Sequence, residues 1–200
     1  MRVSDYPLFP LPSTLMPFGK MPLQIFEQRY LNLVKRCMRD GQTFGVIQLH
    51  AGSEVMRDGK RSPPQVADRG TAAAIVDWDQ LPSGLLGITL QGQQTFTAEN
   101  IRLADDGLVL CDAEFEASLE PAAMIDAWSG LAEVLESLEH HPHVERMQLG
   151  IDYSDAWQVG YHLYQLLPVD EGLKLEMLAP DSLEHLMSTM DQILTEWSEG

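Results

Sequence analysis

The run Tyr6-Pro7-Leu8-Phe9-Pro10-Leu11-Pro12, followed by Pro17 and then Pro22-Leu23, is apolar but punctuated by proline. Proline fixes φ and cannot donate to a ladder, so the run predicts an edge strand or an extended clamp over the core. An exposed proline-rich ligand is the weaker reading. Leaving Leu8, Phe9, Leu11 and Leu23 in water would cost roughly 1.5–3 kcal/mol for each.

Working outward, the next segment has a helical period. Phe26, Tyr30, Leu33, Val34 and Cys37 recur at i, i+4, i+7, i+8 and i+11 within 25–40, and Gly41 stands where a helix ends in a left-handed residue. Beyond it the apolar residues fall in short runs rich in β-branched and aromatic types: 44–49, 74–78, 85–90 and 108–115, with a looser Thr- and Phe-containing stretch at 93–101. Turn signals separate them, at Asp58-Gly59, Pro63-Pro64, Pro82-Ser83-Gly84 and Asp105-Asp106-Gly107. The spacing predicts a meander or small barrel with one helix inserted among its strands.

Near Ser118 to Pro121 the organisation changes. Residues 1–100 carry ten basic and nine acidic groups, whereas 101–200 carry three and twenty-one. The period turns helical: Met124, Trp128, Leu131, Leu135 and Leu138 form one stripe, and Leu183, Leu186, Met187, Met190, Ile193, Leu194 and Trp197 another. The segment 154–167 is apolar on two faces and is expected at the centre of the helices, closed by Pro168. Asp181 and Glu184 have the spacing of a capping box for the last helix. These features predict two domains, 1–118 and 119–200, the second a bundle of three or four helices.

The net charge of −17 disfavours generic nucleic-acid binding and anionic membrane surfaces. No apolar run approaches the ~18 residues of a membrane span, and Met1-Arg2-Val3-Ser4-Asp5 lacks the layout of a secretory signal, so the chain reads as cytoplasmic. Cys37 and Cys111 read as buried small apolar residues.

At Tyr6 to Pro12, Pro17-Phe18-Gly19 and Pro22-Leu23-Gln24-Ile25-Phe26-Glu27-Gln28-Arg29-Tyr30-Leu31, the sequence resembles the N-terminal substrate-binding domain of Lon protease. Phe44-Gly45-Val46, Gly70-Thr71-Ala72 and the run from Gly84 to Gly92 follow in the expected order, so the resemblance covers about residues 5–116. Leu166-Leu167-Pro168 is similar to the helical part of stand-alone bacterial Lon-domain proteins. The resemblance implies an α+β fold, a PUA-like β-barrel followed by a C-terminal helical bundle, and substrate or protein binding by the barrel. The Lon ATPase and protease signatures are missing: Gly19-Lys20-Met21 and Gly59-Lys60-Arg61 lack the first glycine and the hydroxyl residue of a phosphate loop, and no Ser has a suitable lysine context. The expectation is a non-enzymatic module that needs no cofactor.

Its partners are expected to be unfolded or apolar peptide segments, or a partner protein. Met16, Phe18 and Met21 lie in a proline- and glycine-punctuated loop and predict an exposed apolar contact patch. Trp78, in Asp77-Trp78-Asp79 at a strand end, is a second contact candidate. Glu27 and Arg29, at i and i+2, do not face each other on a helix, and each is expected to satisfy loop backbone groups. The alternative places them as a polar rim beside an apolar peptide groove. Glu139-His140-His141-Pro142-His143-Val144-Glu145 lacks convergent ligand spacing and reads as a solvated loop with no metal. The acidic helices read as solvated faces, with docking onto a basic partner as the alternative. Two rival functions are an RNA-binding PUA-like protein, for which Arg57, Lys60, Arg61 and Arg69 are the local basic group, and a hydrolase whose site has no visible motif.

Overall fold

The computed structural model describes residues 1–50, 56–57 and 60–199. The Asp58-Gly59 turn lies outside the described residues, as do the side chains of Arg57, Lys60 and Arg61. The first half consists of β1 (Arg2–Leu11), β2 (Lys20–Ile25), α1 (Gln28–Asp40), β3 (Phe44–Leu49), the short β4 (Met56–Arg57) and β5 (Lys60–Arg61), β6 (Val66–Gln80), β7 (Leu86–Leu103) and β8 (Val109–Phe115).

The sheet runs in the order β2-β7-β6-β3-β1-β8, and β7 also pairs with β8, so the ladder closes on itself. Closure works because β7 is long. Its first part, through Leu86 to Gln91, pairs with β2, and its later part, from Phe96 to Leu103, pairs with β8. The sequence divides this strand in two around Gly92, but the chain runs straight through. Gly92 is required there because the 12–19 loop crosses it: an added Cβ would collide with the Met16 carbonyl. Inside the closed ladder, Phe96 is fully buried and lies where a Cβ on Gly45 or Gly70 would go.

The proline run does not form an edge. β1 lies between β3 and β8, which corrects the expectation from Pro7 and Pro10. The reason is a change of partner at Leu8. Residues from Arg2 to Leu8 pair with β8, and those from Leu8 to Leu11 pair with β3. Each proline therefore occupies a stretch laddered on one side only, where its missing donor is tolerated.

α1 begins two residues later than the periodicity suggests, and Phe26 is outside it and 70% exposed. Tyr30, Leu33, Val34 and Cys37 are buried against the strands, and Gly41 adopts φ 63° and donates its N–H to the Cys37 carbonyl. Both cysteines are buried and unpaired. Burial pushes the Cys111 thiol up to about 12, and Cys37 moves the same way, so neither is a ready nucleophile.

After β8 come a 3-10 turn (Asp126–Trp128), α2 (Ser129–Glu139), α3 (Pro142–Glu145), α4 (Ala156–Leu166), α5 (Glu171–Glu176) and α6 (Leu183–Glu199). Met124 is not helical. It sits beside an isolated bridge between Ala123 and Asp155. The buried Asp155 carboxylate accepts from the N–H groups of Ala122 and Trp157, both at 3.2 Å, which caps α4 and anchors the segment leading into the helices. α4 is the central helix, with seven buried residues. Leu167 turns to extended backbone before Pro168. The last helix is capped by Ser182 rather than Asp181: its Oγ accepts from the His185 N–H at 3.1 Å.

The helices seat on the strands through the 12–19 loop. Met16 is fully buried in the helical core, its N–H donates to Gln165 Oε1 at 2.9 Å, and the Thr14 N–H donates to Glu171 Oε2 at 2.6 Å. Lys20 Nζ donates to the carbonyls of Met147 and Gln148.

Candidate functional site

β2 ends at Ile25 and α1 starts at Gln28, so Phe26 and Glu27 carry the chain around the corner between them. Glu27 is the helix N-cap with extended backbone (φ −80°, ψ 135°), and its carboxylate makes no cap bond. It turns instead to Arg29, whose Nη2 lies 2.7 Å from Glu27 Oε2. The two therefore pair directly, contrary to the expectation from their spacing, because Glu27 stands outside the helix to which the i, i+2 rule applies. Arg29 also meets loop backbone, as expected, and both residues stand at the cleft described below.

Arg29 ties three elements together. Its Nη1 donates to the Gly107 carbonyl at 2.8 Å, in the turn between β7 and β8, and its guanidinium lies 4.8 Å from the centre of the Tyr30 ring. Tyr30 stacks on Phe9 of β1 with centroids 3.9 Å apart and planes at 19°. Among the described residues the buried Arg29 Nε has no acceptor.

These groups border a cleft of about 610 Å³. Phe9 and Leu11 of β1, Leu23 and Ile25 of β2, and Tyr30 supply apolar wall, and exposed Phe26 stands at the mouth. A shallower groove of about 300 Å³ adjoins it, lined by Pro22, Asp77, Trp78, Asp79 and Gly87, and the two share Leu23 and Gln24. The arrangement offers concave apolar surface and a charged rim, which suits holding a polypeptide segment.

The structure brings Glu27 and Arg29 to the cleft and Trp78, 59% exposed, to the adjoining groove. It does not form the predicted patch of Met16, Phe18 and Met21. Met16 is fully buried, Phe18 is half-buried with its ring 6.3 Å from that of Tyr161, and Met21 packs half-buried against the strand core. For Met16 and Phe18 the physical reason is that the helices cover the loop, a cover supplied by residues more than a hundred positions away that no local pattern reports, whereas Met21 lies in β2 and packs against the strand core. Phe26 and Leu11 were missed as site residues. Phe26 fits the helical stripe by spacing, and only the extended backbone of Glu27 in the structure shows that the helix starts after it.

The histidine segment meets backbone groups. His140 Nδ1 lies 2.7 Å from the Glu136 carbonyl, and His141 Nδ1 accepts the His143 N–H. Among the described residues no helix is long and apolar enough to cross a membrane.

Two solved structures are similar over nearly the whole chain. The Lon N-terminal domain protein from Xanthomonas campestris shares 31% identity at a TM-score of 0.68, covering 96% of this chain and 98% of that one. The N-terminal domain of Mycobacterium avium complex Lon protease, 8% identical, shares the fold at a TM-score of 0.59 over 93% of this chain and 95% of that one. No match is found among curated proteins. The profile of the ATP-dependent protease La (LON) substrate-binding domain matches residues 5–192, nearly the whole chain, and the chain belongs to that family.

Proposed function

We propose that this protein is a non-catalytic binding module that holds unfolded or apolar peptide segments in the cleft under Phe26. The observation that carries the reading is the cleft itself: apolar walls, an exposed aromatic ring at its mouth, and the Glu27–Arg29 pair beside it. The family points the same way, since its members' domain is a substrate-binding one. The closed ladder of residues 1–118 is read as a PUA-like barrel carrying the site, and 119–200 as a helical bundle that braces the 12–19 loop. The acidic balance favours protein over nucleic acid as the partner, and two unpaired buried cysteines suit a cytoplasmic setting.

The test is fluorescence anisotropy with a labelled, extended, leucine-rich peptide against wild type and Phe26→Ser. Phe26 is exposed and outside α1, so its replacement leaves the fold intact. Affinity is expected to fall about tenfold, as for an aromatic anchor at a contact centre. Unchanged binding in Phe26→Ser would overturn the proposal.

A further inference from the structure

We infer that Gln165 and Glu171, on α4 and α5 and outside the cleft, are positioning residues for it: they clasp the loop that joins its β1 and β2 walls, and the bound segment favours the clasped form. This rests on the peptide-binding reading above and adds how that site is regulated.

The cleft is walled by strands that do not pair with each other. Phe9 and Leu11 belong to β1, which ladders with β3 and β8, whereas Leu23 and Ile25 belong to β2, which ladders with β7. No ladder therefore fixes the gap between these walls. At one end the gap is held by the stack of Tyr30 on Phe9 and by Arg29 on the Gly107 carbonyl. At the other the walls run into the 12–19 loop, and that loop is held by the C-terminal segments.

Hydrogen bonds from those segments reach the chain beside lining residues of β1, β2 and β3. Past Leu11, the Thr14 N–H donates to Glu171 Oε2 at 2.6 Å, and Lys174 Nζ lies 3.3 Å from the other oxygen of that carboxylate. Ahead of Leu23, Lys20 Nζ donates to the carbonyls of Met147 and Gln148. Next to Leu49, Gln48 Nε2 donates to the Glu171 carbonyl at 3.3 Å. Within the loop, the Met16 N–H donates to Gln165 Oε1 at 2.9 Å, and the same oxygen lies 2.6 Å from where a Cβ on Gly19 would stand.

The turn that Gln165 covers is strained. Met16-Pro17-Phe18-Gly19 closes with the Gly19 N–H on the Met16 carbonyl at 3.1 Å, with proline second and a positive φ third, 63° at Phe18. That is the pattern of a type II turn, whose third position favours glycine, and a bulky side chain persists there only where its surroundings hold it. Here the Phe18 N–H donates to the Gly92 carbonyl at 2.9 Å, and its ring lies 6.3 Å from that of Tyr161 in α4. Releasing the contacts to Gln165 and Glu171 lets the turn relax, and the relaxation reaches both walls because they continue from the loop. A strained turn with a relaxed alternative is the element through which two separate sites bias one equilibrium.

The experiment uses the labelled leucine-rich peptide on the full chain, at a temperature where circular dichroism shows every variant folded. Gln165→Ala removes the acceptor and is expected to weaken binding about fivefold, the lower end of coupling between linked sites, whereas Gln165→Glu keeps an acceptor oxygen and is expected to bind as wild type does. A second readout needs no variant. Saturating peptide is expected to slow hydrogen exchange of the wild-type Met16 amide by the same factor of about five, read while the Tyr161 amide is still unexchanged so that global unfolding contributes nothing. Wild-type affinity in Gln165→Ala, equal loss in both Gln165 variants, or a Met16 amide indifferent to peptide overturns this inference, and the peptide-binding reading survives if Phe26→Ser still weakens binding. If wild type does not bind the peptide, both fall.

Discussion

Arg102 Nη2 lies 2.7 Å from Asp5 Oδ1, across 97 positions of sequence, at the place where the ladder closes. β8 is flanked there by a bulge in each neighbour. Ser4 and Asp5 of β1 stand against Asp112, and Asn100 and Ile101 of β7 stand against Cys111. Asp5 and Asn100 adopt left-handed backbone, φ 55° and 53°, which these two residue types tolerate better than most. Arg102 also reaches Asp112 Oδ1 at 2.9 Å and the Asn100 carbonyl at 2.8 Å, and Asn100 Nδ2 donates to Asp112 Oδ2 at 2.8 Å. One guanidinium thus binds both bulges to the strand between them.

Replacing that clamp is expected to loosen the closure. Arg102→Leu should lower Tm by about 2–4 °C, the scale on which a chain of this length responds to a modest loss. Calorimetry at low and high salt checks it, and the difference between variant and wild type should shrink as salt rises, because the cluster is solvent-accessible.

Asp112 sets an acid response of known sign. Its hydrogen bond from Asn100, and then that from Arg102, hold its carboxyl below the usual carboxylate range. A depressed carboxyl contributes stability that is present above the unfolded value near 3.9 and is lost as pH falls through the folded one. Asp112→Asn is therefore expected to be less stable than wild type at pH 7 and to converge with it in strong acid. Urea midpoints from pH 7 down to pH 2.5 read this directly.

His162 acts in a higher window. Burial lowers its affinity for a proton, its Nδ1 is 2.7 Å from the Gln158 carbonyl, and its buried Nε2 has no partner among the described residues. The unfolded chain binds the proton more readily, so stability falls as pH drops below the unfolded value of about 6.5, until the folded group also titrates. His162→Gln is expected to remove this slope. Comparing urea midpoints at pH 7.5 and 5.5 for both proteins tests it.

Met16 and Gly92 separate packing from binding. Met16→Ala opens a cavity in the helical core and should cost about 2–5 kcal/mol. Gly92→Ala forces a Cβ onto the Met16 carbonyl and should cost about 1–3 kcal/mol. Denaturant titration gives both values. Phe26→Ser should leave the midpoint near that of wild type while weakening peptide binding.

Local pattern carried much of the architecture. β-branched runs bounded by Gly and Pro marked β3 and β8 to within a residue, and the 3.6-residue stripe with Gly41 after it marked α1, because these signals rest on the chain's own backbone preferences. The resemblance at Tyr6 to Pro12 led to the right family, whereas Glu27 and Arg29, read from their spacing as facing apart, pair directly. What sequence could not place were relationships settled by distant cover and by partner choice. The loop of Met16 and Phe18 looked exposed until the helices closed over it, and β1 looked like an edge until its change of partner at Leu8 spared both prolines. The cleft itself is of this kind. Its walls come from β1, β2, α1 and the β7–β8 turn, and only closure of the ladder, held at Arg102, brings those apolar residues to one place.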